Sequence, residues 1–297
     1  MACNLLHTKE CTRPRGAAHP LVLRACALLR FVSYIACIVA VECAASYAYV
    51  LAPAWGLDGM IAYEYAGAVA AFVGCVMLGL HHILHKRPHD MAFSHKVYAP
   101  ALYLSCALSL FELSSFVCAG EELSQEAALQ SLRVLVLCLG VGFFEELLFR
   151  GIIFQGLLRA FKHRSYAFGA SAFLCSLIFG IAHIDVLSIN VMDPLQCAQA
   201  IGKIAQAGLN SYLFCAIVYC TGSVRSPSLL HAACDFILML PSVGLFGYDD
   251  QAIYVVEGPE GVSTLILYLI LSCILLVCCV RAKRLMKSYP ARTHTAR

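Results

Sequence analysis

Seven residues in the middle of this chain have types and spacings that could carry chemistry. They are Glu145, Glu146 and Arg150 in GFFEELLFRG, Phe179 and His183 in FGIAH, and His231 and Asp235 in HAACD. All three sets sit in apolar surroundings. An ionisable side chain at the centre of a membrane helix costs roughly 2.5–3.5 kcal/mol by insertion scales, so such groups persist when they pair or when they work. Glu146 and Arg150 are four apart, which puts them on one helix face as an ion pair. Glu145 points about 100° away and has no partner on its own helix. That makes it the candidate general base. Phe179 and His183 are again four apart, as are His231 and Asp235. Three separate helices thus offer polar groups at helical spacing, the way helix bundles assemble inward-facing sites. The alternative for each group is structural: an ion pair gluing helices, or a histidine serving as an interhelical hydrogen-bond partner.

The elements that must position these groups are membrane helices. The chain has 297 residues, 61% hydrophobic and 13% charged, with a net charge of +3. Soluble domains carry about 25% charged residues, and a water-soluble fold could not hide this much apolar surface. A span takes about 20 apolar residues. Eight apolar segments can be read, over 22–52, 60–84, 98–119, 128–158, 166–184, 206–222, 227–246 and 262–281. The expectation is an all-α, polytopic bundle of about eight transmembrane helices forming one integral membrane domain over 1–297. Residues 128–246 form its motif-bearing core, 1–20 a polar tail and 282–297 a basic tail.

Charge alternates along the connections. The N-tail (Lys9, Arg13, Arg15), the second (Lys86, Arg87, Lys96), fourth (Arg159, Lys162, Arg164) and sixth (Arg225) connections and the C-tail (Arg281, Lys283, Arg284, Lys287) are basic. The first (Asp58), third (Glu121, Glu122, Glu126) and seventh (Asp249, Asp250, Glu257, Glu260) are acidic, and the fifth is mixed, with Asp185, Asp193 and Lys203. The positive-inside rule then puts both termini in the cytoplasm. No basic run is long enough to suggest nucleic acid. The 17 cysteines include no CxxC pair and read as small apolar packing residues, with Cys118 and Cys197 near non-cytoplasmic loops. Glu42, Glu64, Glu112 and Arg133 are expected to pair among themselves, Arg133 with Glu112. His81, His82 and His85 are expected at a helix end in the interface.

The ordered set Glu145-Glu146-Leu147-Leu148-Phe149-Arg150, Phe179-Gly180-Ile181-Ala182-His183 and His231-Ala232-Ala233-Cys234-Asp235 resembles the EExxxR, FxxxH and HxxxN (or HxxxD) motifs of the membrane-embedded CAAX protease and bacteriocin-processing family, also called the Abi family. The resemblance covers about residues 128–246. It implies a glutamate-dependent intramembrane endopeptidase, like the type II CAAX prenyl proteases. Glu145, aided by His183, activates a water in that scheme. His231 and Asp235 stabilise the oxyanion, and Glu146, Arg150 and Phe179 support the site. The implied partners are the lipid bilayer and a lipid-anchored or membrane-proximal peptide or protein, and the implied location is a bacterial cytoplasmic membrane. One departure is Asp235, which stands where the eukaryotic prenyl-protease branch has asparagine. An amide can donate a hydrogen bond to an oxyanion, whereas an ionised carboxylate cannot.

No cofactor is expected. The alternative is zinc, because His183, His231, Asp235 and Glu145 make a nitrogen and oxygen donor set of the catalytic kind. Two other functions stay open on the residues alone: a non-catalytic membrane scaffold or bacteriocin-immunity protein, and a transporter, since buried carboxylates and histidines also mark ion paths. Depth constrains the geometry. Glu145 lies about 13 residues before the end of its segment and His183 about 17 beyond the start of its own, a difference of about 6 Å at the helical rise. His231 is about one turn in from Arg225. The three can meet only if the seventh segment starts deeper or the bundle is dished, and a polar cavity open to the cytoplasm is expected.

Overall fold

A computed structural model describes residues 20–85, 90–249 and 254–289. The tail residues Lys9, Arg13 and Arg15, the turn residues Lys86, Arg87 and Pro88, Asp250 and the end of the basic tail lie outside the described residues. Within them the chain is all helical, with no strand. The helices are α1 (Pro20–Leu51), α2 (Gly59–Met77), α3 (Asp90–Ala119), α4 (Ala127–Glu145), α5 (Phe154–Ala160), α6 (Ala167–Ala182), α7 (Pro194–Thr221), α8 (Arg225–Met239) and α9 (Glu260–Ser288). Two π-helical stretches interrupt them. Glu146–Ile153 joins α4 to α5, and Leu240–Leu245 extends α8.

The ends follow ordinary capping chemistry. Asp58 accepts from the amides of Met60 and Ile61 at the start of α2. Asp193 does the same for Leu195 at the start of α7, with Pro194 in the first turn. These groups satisfy amides that have no intrahelical partner. Gly222, at φ 64°, closes α7 in the left-handed conformation.

Six helical stretches are long and apolar enough to cross a membrane: 28–55, 59–77, 91–119, 194–221, 225–245 and 260–288. Of the eight segments expected from sequence, the remaining two are the interrupted stretch 127–160 and α6, which has 16 residues. Large apolar side chains such as Phe72, Val73, Val76, Leu269, Ile270 and Val277 face outward, as lipid-facing surfaces do. In lipid, apolar burial alone does not drive helices together, and small residues that allow close approach take over. Gly142 does this between α4 and α8, where a Cβ would lie 2.5 Å from the Ser228 carbonyl oxygen. Gly180 does it between α6 and α7, against the Ile204 carbonyl. The first crossing joins two of the three motif-bearing helices directly, and the second seats the third, α6, on α7.

The structure corrects several expectations. Arg133 pairs with Asp58 and not with Glu112, because Asp58 caps the neighbouring helix start at the same end of the bundle. Glu42 accepts from the Tyr63 hydroxyl at 2.8 Å. Helix α7 begins at Pro194 and not near 206, so Lys203 lies inside a helix and not in a connection. The α7–α8 turn sits deep: Thr221, Ser223, Val224 and Ser226 are buried, and the Val224 amide donates to the Ile83 carbonyl at 3.0 Å. The seventh segment therefore starts packed against the turn that follows α2, and His231 reaches Glu145 and Glu146 from there.

At the basic end Arg159 donates to the Tyr34 hydroxyl and to the Leu78 and Gly79 carbonyls. A cavity of about 320 Å³ opens at the acidic end, between the start of α4 and the end of α8, lined in part by Arg133, Leu137, Tyr248 and Asp249. None of the seven motif residues lines it.

Candidate active site

The EExxxR run lies where α4 widens into the π stretch Glu146–Ile153. Single-turn π segments inside α-helices often occur at functional sites. Here two thiols from neighbouring helices reach its carbonyls. Cys175 of α6 donates to Phe149 at 3.3 Å and Cys75 of α2 contacts Leu147 at 3.9 Å. Gly151 leaves room for Cys75, whose sulfur would lie 2.9 Å from a Cβ. These cysteines do pack, as expected, and they also dress the irregular backbone.

Glu146 is the centre of the closed part. Its Oε1 lies 2.8 Å from Arg150 Nη1 and 3.0 Å from His231 Nδ1, and both Glu146 and Arg150 side chains have 0% exposure. A carboxylate only accepts, so His231 Nδ1 carries the proton and donates. Arg150 is then enclosed by rings: its Cζ sits 4.3 Å from the Phe179 centroid and 5.2 Å from that of Phe214, a cation–π arrangement. Phe214 stacks on the His231 imidazole at 5.2 Å and on Tyr98 at 4.5 Å. The ring of His231 is therefore fixed on one edge by a carboxylate and on one face by an aromatic ring.

Its other nitrogen looks outward. His231 Nε2 is 3.4 Å from Asp235 Oδ2 and 3.6 Å from Glu145 Oε2, and these two carboxylates are 30% and 22% exposed. His183 ends α6, and its Nδ1 donates to the Phe179 carbonyl at 2.8 Å. That bond assigns the proton to Nδ1 and leaves Nε2 as the free nitrogen of the neutral ring. The His183 ring is 6.4 Å from that of Tyr254, in the α8–α9 connection. Burial pushes the Tyr254 phenol up to about 12, with the Glu145 and Asp235 carboxylates adding to the rise. The phenol thus keeps its proton at neutral pH. Among the described residues, no group of three or more His, Cys, Asp or Glu donors is arranged to hold a metal ion.

All seven residues singled out in the sequence therefore come together. A family model described as type II CAAX prenyl endopeptidase Rce1-like matches residues 127–237. Residues 127–237 form an Rce1-like domain. It spans α4 to α8 and contains every one of the seven. With six apolar helices along the chain, the protein is a multi-pass membrane protein carrying a domain of the CAAX-protease type. No curated protein and no solved structure matches the chain.

Two residues that bear on the Rce1-like site stand apart from the three motifs. Glu64 of α2 is 7% exposed with its Oε2 unpartnered, and among the charges acting on it the Glu145 carboxylate acts most strongly. Lys203 of α7 lies within electrostatic reach of Asp235 and Glu145. Both are charges inside apolar helices, which is the signal that could have found them.

Proposed function

We propose that the Rce1-like domain is an intramembrane endopeptidase in which Glu145 is the general base. The observation that carries this reading is the division of labour at His231. Glu146 holds Nδ1, so Nε2 is presented between the two accessible carboxylates, Glu145 and Asp235. A water bound there gives a proton to Glu145 as its oxygen attacks the peptide carbonyl carbon. His183, through its free Nε2, orients that water. With Glu146 at Nδ1 and Glu145 and Asp235 at Nε2, His231 works as the doubly protonated imidazolium, and the tetrahedral oxyanion accepts from its Nε2–H while Asp235 holds the ring in place. As the C–N bond breaks, Glu145 returns its proton to the leaving amine. Preorganised donors of this kind are usually the largest electrostatic contribution to such reactions. Distances of 3.4–3.6 Å are of the kind that tighten when substrate binds.

The substrate is a lipid-anchored or membrane-proximal peptide bond. In the same reading the stretch 127–160 and α6 also cross the bilayer, giving eight crossings with both termini on one side. The chemistry uses protein groups and water without zinc.

Purified protein in lipid vesicles, assayed on quenched-fluorescent peptides with and without an S-prenyl cysteine, tests this. Glu145→Ala is expected to abolish cleavage while leaving thermal unfolding unchanged; normal cleavage by that variant would refute the assignment. Chelator in the same assay is expected to change nothing. Loss of activity on chelation with recovery on added zinc would replace the metal-free scheme.

A further inference from the structure

The connection between α6 and α7 carries large apolar side chains on its outside. Val186, Leu187, Val191 and Met192 are 58%, 97%, 70% and 85% exposed. A patch of this kind marks a protein or membrane contact. The polar groups of the same segment are turned on one another. Asp185 accepts from the Leu187 amide through its carboxylate, and from the Ser188 amide and hydroxyl through its carbonyl. Asn190 accepts from the Met192 amide through its side chain and from the Asp193 amide through its carbonyl. The Asn190 amide donates to Gln196 Oε1 at 2.9 Å, and the Cys197 thiol reaches the Val191 carbonyl at 3.6 Å. Away from bulk water, irregular backbone is tolerated only where its polar groups find partners within the protein. The amides of Leu187, Ser188, Asn190, Met192 and Asp193 meet that condition.

Height puts the segment at the edge of the bilayer. Helix α6 has 16 residues and rises about 24 Å, short of a hydrocarbon core of roughly 30 Å. Gly180, near the end of α6, packs on Ile204 of α7. Helix α7 begins at Pro194, so residues 194–203 rise about 15 Å beyond that contact. The connection climbs beside them, through the level at which hydrocarbon gives way to headgroups. The patch also continues surfaces that already face lipid, since Ile178 and Ile181 at the end of α6 and Ile201 near the start of α7 are exposed. The α3–α4 connection at the same end is the contrast. There Glu121, Glu122 and Glu126 are exposed around a single large apolar residue, Leu123.

We propose that the α6–α7 connection is an interfacial anchor: it lies in the boundary between headgroups and acyl chains, with Val186, Leu187, Val191 and Met192 set among the lipids. Its partner is the bilayer that the helices cross. The connection begins one residue after His183, so the anchor fixes the depth of that histidine. This holds whatever chemistry the site performs.

Trp55 is the only tryptophan of the chain, so a tryptophan placed in the connection reports its own surroundings once Trp55→Phe removes the native one. The full chain carrying Trp55→Phe and Leu187→Trp is placed in phosphatidylcholine vesicles, with and without phosphatidylcholine brominated on its acyl chains. Its emission is expected to be lost to the brominated lipid and to resist iodide in the water. Bromines near the headgroup are expected to quench more than bromines near the chain ends, as for a residue about 5–10 Å into the boundary. Met192→Trp in the same background is expected to give the same pattern, and carries the test by itself where Leu187→Trp does not fold. Leu123→Trp is the reference, expected to be quenched by iodide and spared by the brominated lipid. Iodide quenching in the connection as strong as at Leu123→Trp, without loss to brominated lipid, would place the connection in water and overturn the anchor. Stronger quenching from the chain ends would place it in the hydrocarbon core and overturn it as well. Protection from both quenchers would mean that protein covers the patch, a second copy of this chain included, and would also overturn it.

Discussion

Glu145 and Glu146 are neighbours in the chain and opposites in circumstance. Glu146 belongs to a closed wall, shared between Arg150 and His231 and fully buried. Glu145 belongs to an open wall with Asp235, His183 and Lys203, where its oxygen approaches His231 without engaging it. One carboxylate is consumed in holding the site together; the other is held free by it. The break from α-helix to π-helix falls between them, at the Glu145–Glu146 bond. Two adjacent acids in a motif need not share a role, and burial and partners assign the roles here.

Four substitutions sharpen this contrast. The largest effect on the fold belongs to Glu146→Ala. It leaves Arg150 as a buried charge without a counterion, and breaking such a pair typically costs about 3–5 kcal/mol. Thermal unfolding in detergent is expected to show a strongly destabilised or unfolded protein, whereas Glu145→Gln should melt like wild type and lose about 10²–10⁴ in rate. Equal stability of the two variants would erase the distinction between the walls. Asp235→Asn is expected to be milder, keeping activity within about tenfold, because the amide can still hold His231 and can donate to the oxyanion. An inactive but folded Asp235→Asn would mean that the carboxylate itself handles a proton. The smallest effect is expected from Arg133→Ala. Its pair with Asp58 is 59% exposed on the arginine side, and exposed pairs contribute about 0–1 kcal/mol. A larger loss of stability would place that end of the bundle under more constraint than its exposure implies.

Much of this arrangement was legible in the sequence, for a physical reason: charge inside an apolar run is conspicuous. The i,i+4 pair of Glu146 and Arg150 needs only helical geometry, and it forms. The bond from Glu146 to His231 spans 85 positions and depends on the Gly142 crossing, which no local pattern announces. The π stretch is also silent, since ELLFRGII reads as ordinary helix. Helix α7 was shortened in the sequence reading because Gln196, Gln199 and Lys203 lower its hydropathy. These residues face inward and bind the α8–α9 connection instead of the solvent. Arg133 was matched to the wrong acid because intramembrane pairing was assumed where the partner, Asp58, is a helix cap.

The atom Glu146 Oε1, shared by Arg150 and His231, has a consequence for how such chains diverge. Replacing any one of the three residues strands the other two, so their effects on stability are strongly non-additive. The trio drifts together or not at all. Its survival in a descendant therefore reports an intact bundle and says nothing about turnover. Glu145 carries no such debt to its neighbours and can be lost without penalty to the fold. On the proposed function, Glu145 is therefore the position at which turnover can be lost while the bundle stands.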